Sequence, residues 1–398
     1  HAALVQKKMY EQVSPEVHVF APEGDDVKLH LKRIEGFNTR AEEPTSWKET
    51  VYTGEDFFEK MIKEKPGNVV MISGNNQKKT EYILTSVQNG LNVLADKPMV
   101  ITPDEFDMLK EAFRVAEQNG VLLYDVMTER FEITTLLQKE LSLIPDVFGA
   151  LEKGTVEDPA ITKESVHHFF KYVSGNPLIR PAWFFDTEQQ GEGIVDVSTH
   201  LVDLVQWECF PEEIIDYENE VEILEAKRWP TVFDPEMFAS VTGLDAFPAY
   251  LEKDIVDGKL HAYSNGAFTY SIRGIHARVS VIWNYKAPEG TGDTHYSIMR
   301  GSKANLVIRQ GEAEGFVPTL YIEAVSDADI AEAAGTAVNQ SLQQKYAGIS
   351  LVPVSEGIWK VDVPDKYRIG HEAHFGQVTD RYLEYLEQGK LPDWEVPN

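Results

Sequence analysis

The chain holds one cysteine, Cys209, in 398 residues, which rules out an internal disulfide framework and a cysteine-rich zinc site. A single thiol is compatible with the cytoplasm and with an exported compartment alike. No apolar run reaches the roughly 20 residues of a membrane-spanning helix, and there is neither an internal repeat nor a low-complexity tract. Basic residues are scarce, with 37 Lys and Arg against 65 Asp and Glu and a formal net charge of −28. Nucleic acids and anionic membranes reward clustered positive charge, so neither is an expected partner. Metal-ligand spacing is also thin. Asp196 and His200 are four apart and HEAH (371–374) brings two more histidines, but HEAH is not the HExxH motif and lacks a third ligand, so no metal is expected.

What is there is a globular composition, 42% hydrophobic, in a chain long enough for two or three domains. Up to about residue 125, short β-rich runs alternate with amphipathic ones, the pattern of parallel βαβ units. EVHVFAP (16–22), GNVVMISG (67–74), LNVLADKP (91–98) and GVLLYDV (120–126) read as strands. QKKTEYILTSVQNG (77–90) and TPDEFDMLKEAFRVAEQNG (102–120) read as helices, the second with Thr102 as N-cap, Pro103 at its first position, Glu105 closing a capping box and Gly120 as stop. The opening HAALVQKKMY looks like a helix already under way, without an initiator Met, so an upstream segment carrying the first strand is expected.

Beyond residue 129 the alternation stops. A helical stretch (131–144) and a strand ESVHHFFKYVSG (164–175) lead into consecutive β-rich runs at 259–274, 276–287, 295–311 and 317–325. The stretches 234–257 and 326–349 read as helical or irregular, the second with a 3.6-residue period, and 371–390 reads as a helix ending at Gly389. The expectation is a first domain over 1–128 of the Rossmann-like α/β type and a second over 129–398 of the α+β type, with a large, mostly antiparallel sheet.

Between the strand at 164–175 and the β-rich runs lies GEGIVDVSTHLVDLVQW (191–207). Its spacing predicts a helix with Ile194, Val197, Leu201, Leu204 and Val205 around most of its circumference and Asp196, His200 and Asp203 along one stripe. Buried ionisable groups are costly unless paired or facing a ligand, so this stripe either faces a ligand or holds Asp196 and Asp203 in local caps and pairs.

Two stretches together resemble the glucose-fructose oxidoreductase/inositol dehydrogenase (Gfo/Idh/MocA) family. LNVLADKPMVITPDEFDML is similar to its "G-x-x-V-x-x-E-K-P" strand end and helix, and GEGIVDVSTHLVD to its "G-G-x-x-x-D-x-G-x-H-x-x-D" helix. VVMISGNN, ERF (129–131) and RGSKANLVI (300–308) extend the likeness to the nicotinamide-side strand and "T-P-N" turn, the "R-R-F" crossing and the glycine turn of the large sheet. The run from EDPAITKESVHHFFKYVSG onward resembles the subgroup with the "putative oxidoreductase C-terminal" domain. The chain departs from the pattern at Asp96, in place of glutamate, at Gly74, in place of proline, at Lys78, where a histidine often stands, and at Glu192, in place of a glycine. The first strand and its glycine-rich pyrophosphate loop are missing.

The resemblance implies an NAD-dependent oxidoreductase that moves hydride between nicotinamide and a hydroxyl-bearing carbon of a sugar, sugar derivative or glycoside. Such a reaction needs a proton acceptor for the hydroxyl and a positive group for developing alkoxide charge. By the family pattern Lys97 polarises the substrate oxygen, His200 takes the proton with an intrinsic pKa near neutrality, and Asp196 orients the site. Asp203 is expected to pair structurally. Ser73, Asn75, Asn76, Asp96, Lys97 and Pro98 fall at the implied cofactor positions. After the strand ending at Phe20, Glu23 or Asp25 would bind ribose hydroxyls and favour NAD over NADP, the alternative being that Asp25 or Asp26 only caps the next helix.

Substrate contacts are expected from His167, Lys171, Arg180 and Trp183, where aromatic faces and charged donors suit a polyhydroxylated ring. Strand alternation puts His167 and Lys171 on one face and His168 on the other. A homodimer or homotetramer is implied. Two other readings fit the same residues: a redox-neutral elimination, epimerisation or glycoside cleavage on tightly held NAD, and a ligand-binding protein that keeps the scaffold without catalysis.

Overall fold

The computed structural model describes residues 10–173, 176–325 and 329–398. HAALVQKK and the end of the strand read at 164–175 lie outside them. The chain packs into two compact units, one of residues up to Thr128 with Ile369–Pro392, the other of Glu129–Arg368 with Asp393–Asn398.

The first unit alternates β1 (Glu16–Ala21), α1 (Asp25–Thr39), β2 (Lys48–Thr53), α2 (Phe57–Glu64), β3 (Val69–Ile72), α3 (Lys79–Gln88), β4 (Asn92–Ala95), α4 (Phe106–Asn119) and β5 (Leu123–Asp125). Every pairing is parallel, β1 with β2 and β3 with β4 with β5. Parallel strands joined through helices are the pattern of a doubly wound Rossmann-type unit. Val93 and Ala95 of β4 are fully buried because Ile83 and Val87 of α3 and Ala112, Val115 and Ala116 of α4 close over them. Gly120, at φ 64°, ends α4.

Thr102 does not form the expected capping box. Its hydroxyl bonds the Glu105 carboxylate (3.1 Å) rather than a backbone N–H, Pro103–Glu105 make a tight 3₁₀ turn, and the α-helix begins at Phe106. The helix His371–Gln388, read from sequence as part of the second domain, packs with the first unit. Its Tyr382 stacks on Tyr124 (6.1 Å between centroids), Tyr385 meets that ring edge-on (5.5 Å), and the Tyr10 hydroxyl donates to Gly376 O (3.4 Å).

The second unit is built on a ten-stranded sheet. Its elements are α5 (Ile133–Ser142), β6 (Ile161–Phe170), α6 (Gly193–Cys209), β7 (Val221–Phe233), β8 (Lys259–Ile272), β9 (Ile275–Lys286), β10 (Thr294–Arg300), β11 (Ala304–Arg309), β12 (Thr319–Ala324), β13 (Ser350–Ser355) and β14 (Ile358–Asp362). From β8 the strands run β8-β9-β6-β10-β11-β12-β14-β13, with β7 and the short strand Ile255–Val256 both on β8. Only β9 with β6 is parallel. The helix expected at 326–349 is broken in character, with Ala331–Thr336 α-helical, Ala337–Ser341 π-helical and Leu342–Gln344 3₁₀.

One buried polar network ties this unit together. Lys163 of β6 donates to both oxygens of Glu208 on α6 (2.7 and 2.6 Å) and to Gln138 Oε1 on α5 (3.2 Å). Gln138 in turn accepts from Ser297 of β10 (2.8 Å) and donates to Leu306 O of β11 (2.9 Å). Lys163 and Glu208 have no exposed side-chain surface, so neither charge has water to fall back on. Glu208→Ala should therefore cost about 3–5 kcal/mol in denaturant unfolding, because it strands a buried ammonium, whereas the paired change Lys163→Met with Glu208→Met should recover most of that loss.

Candidate active site

Helix α6 carries the ionisable stripe, and two glycines let its first turn lie against β8. A Cβ on Gly193 would sit 2.1 Å from Ser264 O, and one on Gly266 would sit 2.3 Å from Ile194 Cδ1. Glu192, at the motif's glycine position, pairs with Arg228 just outside the helix. Asp196, His200 and Asp203 are all buried, at 9%, 9% and 8% exposure.

Asp203 has a structural partner. Arg130 Nε donates to Asp203 Oδ2 (2.8 Å), its Nη2 to the other oxygen, and its Nη1 to both oxygens of Glu395 (3.0 Å each). Asp196, two turns earlier, lines a cleft walled by Phe169, Phe184, Phe185, Tyr263 and Trp283. Trp183 is not among the lining residues; the two phenylalanines after it and Trp283 supply the aromatic wall. His200 follows one turn after Asp196.

Arg180 sits between two of those rings, 4.7 Å from the Phe184 centroid and 5.0 Å from that of Trp283. It is held there by Phe169 O (3.0 Å) and His168 O (3.1 Å). Burial pushes its pKa down to about 10, against the pull of Asp293 and Asp196. The guanidinium stays charged at neutral pH.

Strand alternation separated His167 from His168, yet the two converge. Asp293, in the turn before β10, accepts from His167 Nδ1 (3.2 Å), His168 Nδ1 (3.3 Å), His168 N (3.1 Å) and Lys171 Nζ. A carboxylate at the strand's end reaches both faces. Trp283 stacks on the His167 ring at 4.8 Å. Sequence reasoning missed Asp293, because PEGTGD (288–293) reads only as a polar turn and nothing in its spacing points to residues more than 120 positions earlier.

In the first unit, the turn after β3 presents Ser73 and Asn75 to solvent and buries Asn76. Asn75 Oδ1 accepts from Gln77 N (3.0 Å), and Gly74 takes φ 106°, a conformation its proline counterpart in the family pattern cannot adopt. Beside this turn, Asp96 N donates to Ile72 O (2.8 Å), so the end of β4, and with it Lys97 and Pro98, begins next to Ser73. Lys78 is exposed at the start of α3, and the next residue, Lys79, is buried. Asp25 pairs with Lys28 (2.8 Å) in the first turn of α1, while Glu23 stands exposed in the turn before it. Open turns at the carboxyl ends of parallel strands are where such sheets take dinucleotides, and these residues fit one. Among the described residues there is no group of three or more His, Cys, Asp or Glu placed to bind a metal ion, and no helix long and apolar enough to cross a membrane.

Burial alone would raise the Asp293 carboxyl, but the hydrogen bonds and charge of His167 and Lys171 outweigh it and hold it well below the usual carboxylate range. A depressed carboxyl contributes stability above its unfolded pKa and loses it as pH falls toward the folded value. Asp293→Asn should therefore cost about 1–3 kcal/mol at pH 7. That gap from the wild type should shrink as pH drops below about 4, which paired unfolding curves at pH 7 and pH 3 would read.

Comparison with known proteins agrees with this architecture. Residues 30–125 match the family described as "Oxidoreductase family, NAD-binding Rossmann fold", and residues 137–398 match the "Putative oxidoreductase C terminal domain". A crystal structure described as a putative oxidoreductase from Parabacteroides merdae is 57% identical, with a TM-score of 0.96 over 99% of this chain and 90% of that one. Levoglucosan dehydrogenase in complex with NADH and levoglucosan shares the fold, with a TM-score of 0.60 at 13% identity over 100% of this chain and 88% of that one. "Putative oxidoreductase YteT" of Bacillus subtilis is 26% identical over 167 residues, a stretch that is 41% of this chain and 35% of that relative's length. With a Rossmann unit, a large mostly antiparallel sheet and both family domains in sequence order, the chain belongs to the Gfo/Idh/MocA oxidoreductase family.

Proposed function

We propose that the protein is an NAD-dependent dehydrogenase of a sugar, sugar derivative or glycoside, with Lys97, Asp196 and His200 serving the reacting carbon. The observation that carries this reading is the setting of Asp196, which lines an aromatic cleft whose Phe184 and Trp283 also stack on a charged Arg180. A buried carboxylate, a stacked guanidinium and ring faces are what a polyhydroxylated ring calls for, the hydroxyls bonding the charged groups and the C–H face lying on the aromatics. The levoglucosan complex of a protein with the same fold supports a sugar as the substrate class.

NAD, when bound, supplies the hydride-accepting ring. His200 takes the hydroxyl proton, a task suited to an imidazole near neutral pH. Lys97 offers its ammonium to the oxygen as negative charge builds there. Asp196 orients the hydroxyl toward His200. His167, Lys171 and Arg180 hold the rest of the ring, the first two oriented by Asp293. Glu23 takes the ribose hydroxyls and disfavours the extra phosphate of NADP. The same reading carries a homodimer or homotetramer, which light scattering measures directly.

The test is nicotinamide reduction by the purified protein against a panel of sugars, together with NAD release on denaturation. Lys97→Ala and His200→Ala should each lower kcat by roughly 10²- to 10⁴-fold while NAD affinity changes little. Substrate conversion with no net NADH formed would favour the redox-neutral cycle. Folded protein with no measurable NAD affinity would overturn the dehydrogenase reading. Glu23→Ala should narrow the preference for NAD over NADP, read as the ratio of their kcat/KM values.

A further inference from the structure

Lys79 and Thr80 are consecutive residues of the first turn of α3, and both are buried, at 1% and 0% exposure. Neither is used in the reading above. A lysine is an expensive residue to bury, and a helix start that only needed packing would be served by an apolar side chain. Their side chains reach across to the segment that follows β4. Lys79 Nζ donates to Asp96 O at 2.8 Å, and Thr80 Oγ1 donates to Met99 O at 2.8 Å.

Those two carbonyls flank Lys97–Pro98. Asp96 is also bonded through its own N–H to Ile72 O at 2.8 Å, and Pro98 has no N–H to offer. The segment 96–99 is thus held at three backbone points, one from β3 and two from α3, and the only side chain between the two α3 points besides proline is that of Lys97. Two carbonyls fixed on either side of a residue fix the direction of its Cα–Cβ bond. A few tenths of an ångström of slack there would be magnified at the end of a four-carbon stem.

We propose that Lys79 and Thr80 are positioning residues that brace Lys97 for hydride transfer, an assignment that rests on the reading of Lys97 given above. They act through the backbone on each side of it. Thr80→Val keeps the shape and removes the donor, Thr80→Ser restores the donor, and Lys79→Met removes the second bond.

Hydrogen exchange on the full chain reads the brace without any substrate. In Thr80→Val and Lys79→Met the amide of Asp96, which donates to Ile72 O, should exchange at least about tenfold faster, with the core of the first unit unchanged. Unaltered exchange at that amide in both variants overturns the proposal. Kinetics on the sugar that supports nicotinamide reduction then reads the function. Thr80→Val should lower kcat roughly 10- to 100-fold with substrate KM and NAD affinity held within about twofold, and Thr80→Ser should restore it.

If Thr80→Val and Lys79→Met keep the wild-type kcat while Lys97→Ala is inactive, the bracing role is wrong and the assignment of Lys97 survives. Loss of kcat in Thr80→Val only in step with lost NAD binding or a lowered Tm makes its role structural and overturns the proposal. If Lys97→Ala itself turns over normally, or no sugar reduces nicotinamide, the underlying reading falls and this assignment with it.

Discussion

The second unit depends on how closely one helix lies to one strand. Helix α6 rests on β8 where Gly193 and Gly266 leave no room for a methyl group, against Ser264 O and the Ile194 side chain. At its other end the Glu208 carboxylate is bonded to Lys163 inside the sheet. A helix fixed at both ends has neither translation nor rotation left to it. On that fixed helix the buried stripe bonds Asp203 to Arg130 and sets Asp196 in the lining of the cleft. Elsewhere on the helix Val197, Leu201 and Val205 join the apolar core, so the position of the polar stripe follows from the apolar one.

The two units solve the problem of exposing chemistry in different ways. In the first, side chains stand on turns at strand ends, where the backbone is already fixed by parallel pairing and only a short loop has to be held. In the second, they stand on a helix face and a strand end, and a loop carboxylate, Asp293, gathers three residues that the strand alone would scatter. Arg180 shows the same economy. Its Nε and Nη2 each donate to a backbone carbonyl of β6 and its planar face lies between Phe184 and Trp283, so a long flexible side chain becomes part of a wall.

Much of this was legible in the sequence because apolar periodicity and short motifs carried it. The four parallel strands read from 16–22, 67–74, 91–98 and 120–126 are all present, as is the helix at 191–207 with its stripe. Two strands show why some are not marked by sequence: β7 exposes about half of its residues and carries Glu222, Glu225, Lys227 and Arg228, and β13 is an edge strand carrying Pro353, so neither shows the alternation of a half-buried strand. Pairings between residues far apart in sequence were out of reach for a different reason. The bond of Asp293 to His167 and that of Lys79 to Asp96 O are set by how elements pack, and no local pattern encodes them.

The return of the chain to its first unit has a consequence for how the protein is made. Tyr124 is among the last residues of that unit's opening segment, yet the rings it packs on, Tyr382 and Tyr385, come from the helix near the other end of the chain. At a synthesis rate of about 5–20 residues per second, the ribosome adds that helix roughly 10–50 seconds after the opening segment has emerged. Until then the nascent first unit lacks the two rings that cover Tyr124 and presents an aromatic seat to whatever is nearby. The second unit, whose sheet and helices lie almost wholly between the two segments, has all its principal elements translated before the first can close.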